Sequence, residues 1–219
     1  LPFTTAERSF SNRPDTYGFI NWKPAATWAD AAGGNPTVDR QIDVVATRFA
    51  SLAPRRIFLT LHHEPENDVS AENCTTSATG AAAGSPTDYR NMWRNVRQRF
   101  DARGATNVVW VMDYMNYPRW DCLVPLLYPG NDLVDWVMFN AYGGASTPDF
   151  VANTSRFYDL LTRTSDAAHD YLSKPWGIVE WNMRNATAAQ GAAYYQQAAT
   201  TLTNGTFPRL RAYMVFDNV

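Results

Sequence analysis

Two stretches carry the residues that could do chemistry. Phe58-Leu59-Thr60-Leu61 is an apolar run that ends in His62-His63-Glu64-Pro65-Glu66-Asn67, and Trp176-Gly177-Ile178-Val179 ends in Glu180-Trp181-Asn182. A buried strand finishing in imidazoles and carboxylates delivers them to the carboxyl edge of a parallel sheet, where α/β folds hold their ligands. Two glutamates so delivered are the minimum for breaking a glycosidic bond, one as proton donor and one as nucleophile. Glu64 needs a raised pKa to hold its proton at rest, which burial and a neighbouring carboxylate would supply, whereas Glu180 must stay ionised. A hydroxyl such as that of Tyr142 could orient Glu180, and His63 could bond substrate or tune the acid.

The elements that must position these groups alternate along the chain. A strand at Tyr17–Lys23 carries Trp22. A helix capped by Thr37 follows, with Val38, Ile42, Val45, Phe49 and Leu52 at three- and four-residue steps, and Pro54 stops it. Beyond the Glu64 strand, a long polar loop over 68–86 leads to a helix bearing Tyr89, Trp93, Val96 and Phe100, which ends at Gly104. Strands are predicted at 107–114, 133–142, 176–182 and 210–218, with helices over 148–172 and 187–203 between them.

Strand and helix alternate without hairpin signals, which predicts a parallel sheet with crossover helices in one domain over 1–219. A doubly wound sheet lacks support because its glycine-rich fingerprint is absent. Every strand ends in polar residues, so the expected fold is α/β, a (β/α)8 barrel (TIM barrel) with its site at the carboxyl ends. Six strands are countable where a closed barrel has eight. Either elements escape the reading, or the first βα units lie outside this stretch.

Strict alternation pairs His62 with Glu64, Val111 with Asp113, Asn140 with Tyr142, Ile178 with Glu180, and Val215 with Asp217. If those faces point inward, Glu64, Asp113, Tyr142, Glu180 and Asp217 meet at one rim. Asp113 and Asp217 could bind sugar hydroxyls or serve structure, and Trp22 and Trp181 could be sugar platforms or rim packing. Glu66, after Pro65, reads as a loop residue, and His169 as a surface residue of a helix. His62, His63, Glu64 and Glu66 could hold a metal, but neighbours on a strand point apart and no HExxH helix exists, so neither metal nor cofactor is expected.

Composition bounds the rest. The 219 residues are 45% hydrophobic, which excludes disorder, and a net charge of −2 offers no footprint for nucleic acid. No apolar run is long enough for a membrane span. Cys74 and Cys122 follow neighbouring predicted strands on one face of the sheet, so a disulfide between them is feasible and would suit a secreted protein, but two unpaired core cysteines remain the alternative. Asn73, Asn153, Asn185 and Asn204 open Asn-x-Ser/Thr sequons.

The motifs together resemble family 26 glycoside hydrolases. His63-Glu64, Tyr89-Arg90-Asn91-Met92-Trp93-Arg94, Asn107-Val108-Val109-Trp110-Val111, Val134 through Gly143, and Lys174-Pro175-Trp176-Gly177-Ile178-Val179-Glu180 carry the likeness, from about Trp22 to Asp217. It implies a (β/α)8 barrel of the retaining clan, with the six strands here as the third to the eighth. It implies Glu64 as acid/base, Glu180 as nucleophile, His63 as the histidine before the acid and Tyr142 as the tyrosine near the nucleophile. The partner implied is a β-linked polysaccharide, mannan first. Pro65-Glu66-Asn67 and Trp181-Asn182 depart from the family's usual residues beside the two glutamates, leaving other β-linked polymers open. Two further readings stand beside a retaining endo-β-glycosidase: a catalytically silent carbohydrate-binding barrel, and an unrelated barrel enzyme such as a lyase or isomerase.

Overall fold

The computed structural model describes residues 5–70 and 83–216. Its described strands are β1 (Gly18–Trp22), β2 (Ile57–Leu61), β3 (Val108–Tyr114), β4 (Trp136–Phe139), β5 (Gly143–Gly144), β6 (Trp176–Trp181), β7 (Met183–Arg184) and β8 (Leu210–Val215). Six of them form one curled parallel sheet in the order β1-β2-β3-β4-β6-β8, the half-barrel of a (β/α)8 fold. The two-residue strands β5 and β7 make a separate parallel pair beyond the carboxyl ends of β4 and β6. The described helices are α1 (Thr5–Ser11), α2 (Trp28–Ala31), α3 (Pro36–Ala50), α4 (Pro86–Ala102), α5 (Leu123–Leu127), α6 (Phe150–Thr164) and α7 (Ala188–Thr203).

Local chemistry sets the helix starts. Asn35, not Thr37, caps α3: its side-chain oxygen accepts the N–H groups of Thr37 and Val38. Pro36, which lacks an N–H and has a preset φ, takes the first helical position and moves the cap one residue ahead of itself. Ser85 with Asp88, and Thr187 with Gln190, form reciprocal capping boxes on α4 and α7. The helix expected over 148–172 stops at Thr164. Asp166 accepts the N–H groups of Ala168 and His169, a local alternative that competes with continued helix. Helix α1 has no apolar periodicity and was not expected.

Strand side chains supply two cores. Ile57, Leu59, Leu61, Trp110, Met112, Tyr114, Val137, Phe139, Trp176 and Ile178 face the helices and pack with Ile42, Phe49, Trp93, Phe100 and Phe157. Val111, Met138 and Val179 face the other way, into the barrel, joined there by Phe19, Phe58, Trp136, Ala212 and Met214. Gly177 belongs to this inner face for want of space, because a Cβ there would stand 3.0 Å from both the Ala212 carbonyl oxygen and the Met138 sulfur. This inner layer fills the concave face of the sheet, and the ionisable groups gather above it, at the carboxyl ends.

Candidate active site

Regular alternation ends where the chemistry begins. After Leu61 the chain enters the left-handed region at His62 (φ 61°) and again at Glu64 (φ 48°). The two side chains therefore do not share a strand face as alternation predicts. His62 turns back under the rim: its Nδ1 accepts from the Trp28 indole at 2.7 Å, and its Nε2 lies 2.6 Å from Asp68. Since Nδ1 is occupied as an acceptor, the proton sits on Nε2 and Asp68 accepts it. Glu64 is thrown forward into the groove instead. Non-glycine residues in this region are held there only by surroundings that compensate the strain. For Glu64 those are the amides of Asn140 (2.6 Å to Oε1) and Asn67 (3.0 Å to Oε2).

The other glutamate arrives by a different irregularity. The pairing of β6 with β8 slips between Ile178 and Trp181. Ile178 and Trp181 both belong to the helix-side core, and Val179 to the inner one. The slip leaves Glu180 over the groove, where its Oε2 accepts the Tyr142 hydroxyl at 2.7 Å.

His63 stands between the two carboxyls. Its Nε2 is 3.1 Å from Glu180 Oε1 and 4.0 Å from Glu64 Oε1. The nearer contact is short, but the N–H is not aligned with it, so it acts as an ion pair. These two distances cap the Oε1 separation at about 7 Å, a range that includes the ~5–5.5 Å of retaining glycosidases.

Electrostatics separate the two glutamates further. Burial raises the Glu64 pKa, and the cation of His63 and the Asn140 amide only partly offset it. The contact with His63, and then the Tyr142 hydroxyl, lower that of Glu180 against its own burial. Burial opposes a charge on His63, but Glu180, Asp113 and Glu64 outweigh it and push the imidazole up to about 9. One carboxyl is thus inclined to hold a proton and the other to lose it, the division of labour of an acid and a nucleophile.

Tyr142 is positioned by backbone. The Ala141 and Gly143 N–H groups donate to the Glu180 and Asn182 carbonyls at 2.8 and 2.9 Å, and β5 then pairs with β7. Gly143 is obligatory here, since a Cβ would collide with the Met183 sulfur and the Tyr194 ring. Gly143→Ala is expected to disturb the Tyr142–Glu180 contact and lower the melting temperature, as overpacking in a core does. Melting curves check it, and an unchanged curve would mean that the pocket around Gly143 yields.

A groove of about 880 Å³ opens over this cluster, with Tyr117, Tyr142, Phe216, Asn116, Asn153, Arg156 and Arg184 along its walls. Tyr117 and Phe216, 49% and 40% exposed, are its open aromatic surfaces. A second cleft of about 430 Å³ meets Glu64 from the other side and is lined by Asn21, Trp22, Lys23, His62, His63, Asn67 and Asp68.

Four of the expected contacts need revision or lie elsewhere. Trp181 is not a platform: it is 5% exposed and packs against Phe150, Tyr194 and Tyr195, because the slip in β6 turns it toward the helices. Asp113 does point inward, but at 1% exposure it lies beneath the rim and cannot meet a sugar. Burial raises its pKa well above the usual carboxylate range, and neither oxygen has a hydrogen-bond partner. Asp217 lies outside the described residues. Trp22 lines the second cleft with its indole packed on Phe100, so it is a wall rather than a free face. Cys122 is disulfide-bonded, and Cys74, the partner that the sequence makes feasible, lies outside the described residues.

Glu66 is no loop residue. It is 1% exposed, and one oxygen accepts the Met115 N–H at 2.9 Å while the other has no partner. Burial drives its pKa up to about 8. A folded-state value above the unfolded one favours the fold below the unfolded value of 4.5, and that contribution is lost as pH rises to about 8. Glu66→Gln keeps an acceptor for Met115. It is expected to leave stability near pH 4.5 almost unchanged and to raise it above about pH 8, by on the order of a few kcal/mol. Equal shifts at both ends in thermal melts would rule out ionisation as the cause.

The model of glycosyl hydrolase family 26 matches residues 22–205. Among solved structures, a double mutant of a Cellulomonas fimi endo-β-1,4-mannanase matches with a TM-score of 0.63 at 15% identity, covering 93% of this chain and 49% of that one. A β-mannanase of the same family from Bacteroides ovatus matches with a TM-score of 0.61 at 17% identity, covering 98% and 64%. At such identities the likeness is one of fold, and the chain spans less than two thirds of either structure. No curated protein matches the chain in sequence.

Proposed function

The chain belongs to glycosyl hydrolase family 26, and from that premise we propose that it is a retaining endo-β-glycosidase acting on a β-linked polysaccharide, β-mannan first. The observation that carries this reading is the pair Glu64 and Glu180, set across His63 in one groove with their pKa values driven in opposite directions. In the first step Glu64 gives its proton to the glycosidic oxygen while the Glu180 carboxylate attacks the anomeric carbon. The leaving chain departs and the sugar is held as an ester of Glu180. In the second step the Glu64 carboxylate takes a proton from water, the water oxygen bonds to the anomeric carbon, and Glu180 is released. The amides of Asn67 and Asn140 stabilise Glu64 in its ionised interval, and Tyr142 holds Glu180 in line. An open groove with room on both sides of Glu64 favours internal cleavage of a polymer. The disulfide at Cys122 favours a secreted protein.

Hydrolysis of β-mannan, β-1,3- and β-1,4-glucans and xylans, with the anomer of the fresh product read by NMR, tests the reading. Retention on one polymer supports it. Initial inversion would replace Glu180 as nucleophile by a base, and binding without cleavage would leave a carbohydrate-binding barrel.

His63 gives a pH test. kcat/KM should be bell-shaped, rising as Glu180 ionises and falling as Glu64 loses its proton. The His63 cation lowers both glutamates. His63→Ala is therefore expected to move both limbs to higher pH and reduce the maximum by roughly 10²-fold. Unmoved limbs would mean that His63 carries no charge in the free enzyme.

A further inference from the structure

Arg184 and Arg156 are charged groove residues that take no part in the two steps. Arg184 follows the β6 slip, is exposed, and makes no ion pair among the described residues. The other groove arginine, Arg156, is spent on Asp121 and Asn116. Arg184 instead lies over the nucleophile's partner: its guanidinium carbon is 4.1 Å from the centroid of the Tyr142 ring. The placement is built in, since β7 pairs Gly143 with Met183 and Gly144 with Arg184, and so sets the arginine beside the residues that follow Tyr142. Phe216 meets the same ring edge-on at 6.4 Å, so Tyr142 has an aromatic edge and a cation as neighbours and Glu180 at its hydroxyl.

We infer that Arg184 is a positioning residue for the nucleophile: stacked on Tyr142, it holds the phenol against Glu180 and keeps positive charge beside that carboxylate. The inference rests on the hydrolase reading for its catalytic meaning, not for its geometry. A guanidinium over a phenol ring withdraws electron density and strengthens the hydroxyl as a donor. It does so where Glu180 must stay ionised among His63, Tyr142, Glu64 and Asp113. Arg184 lowers both Tyr142 and Glu180, as a cation in this place must. When Glu180 becomes an ester its charge vanishes, and on release the charge returns. A fixed cation acting through Tyr142 therefore favours the states in which Glu180 is an anion, which are the resting enzyme and the second step, where water releases the carboxylate.

Two substitutions separate charge from contact. Arg184→Met keeps a long chain on the ring without charge, and Arg184→Lys keeps charge without the planar stack. On a polymer that the parent cleaves, Arg184→Met is expected to lower kcat roughly tenfold or more with little change in KM, and to move the acid limb of kcat/KM upward. Arg184→Lys should restore the limb and part of the rate. A raised KM with kcat and limb unchanged would make Arg184 a sugar contact and overturn the inference, as would wild-type behaviour in both variants. Because Arg184 is exposed, both variants should melt like the parent. Should no polymer be cleaved, the hydrolase reading fails but this one is still decided. The Glu180 carboxyl, assigned by its loss in Glu180→Gln, is titrated by carbon-13 NMR. An upward move in Arg184→Met supports the inference, and an unmoved titration ends it.

Discussion

Glu180→Ala is expected to remove hydrolysis almost completely, lowering kcat by roughly 10⁴-fold or more, as loss of a covalent nucleophile does. The variant should remain folded, since Glu180 lies at the rim and its partners His63 and Tyr142 stay anchored by their own backbone contacts. The shortened side chain leaves room beside the anomeric carbon, so added azide should attack there directly while Glu64 still donates its proton. The product should be a glycosyl azide of inverted configuration, identifiable by NMR. Activity near that of the parent would place the nucleophile elsewhere. A folded but inactive variant that azide does not rescue would make Glu180 a binding group.

The parts of this site that were legible in the sequence are those that follow from residue type and order. Apolar runs with polar ends located β2 and β6, and the strand–helix alternation gave the parallel sheet. What alternation could not supply was aim. Counting by twos set Glu180 on the face of Ile178, yet Ile178 packs with the helices and only the slip between Ile178 and Trp181 carries the glutamate to the groove. The same slip turns Trp181 toward the helices, so the loss of the Trp181 platform and the place of Glu180 over the groove have one cause. His62 and Glu64 likewise depend on two left-handed residues that no side-chain pattern announces. Sites at strand ends are where regular geometry is given up, and period-two reasoning loses its force there.

Other omissions were of partnership rather than place. Asn140 was visible beside Tyr142 but had no evident work until its amide met Glu64. Asn67 and Arg184 sit in short segments whose composition is that of ordinary loops. Glu66 reads as a loop residue because it follows Pro65. The three-residue turn at Pro65–Asn67 instead folds it under the rim, where the Met115 N–H satisfies one oxygen. Burial of a carboxylate costs stability unless it is protonated or paired. Glu66 and Asp113 together therefore make a floor that prefers to be neutral beneath a histidine that prefers to be charged.

Glu64→Ala should lose activity in a way that depends on the leaving group. A sugar is a poor leaving group and needs its oxygen protonated, so polysaccharide cleavage should fall by roughly 10³-fold, within the range for general acid–base catalysis. An aryl glycoside with a very acidic phenol needs no such help. Its first step should proceed at near the parental rate, and the second, which needs Glu64 as base, should become limiting. A burst of phenol followed by a slow steady state is the expected trace. Azide, a nucleophile that requires no base, should speed the slow phase and yield an azide of retained configuration, opposite to that from Glu180→Ala. Glu64→Gln should behave alike but more weakly folded at the rim, because one amide of the Asn67–Asn140 pair must then turn to avoid facing another donor. Equal losses on both substrates, with no burst, would mean that Glu64 positions the sugar and gives it no proton.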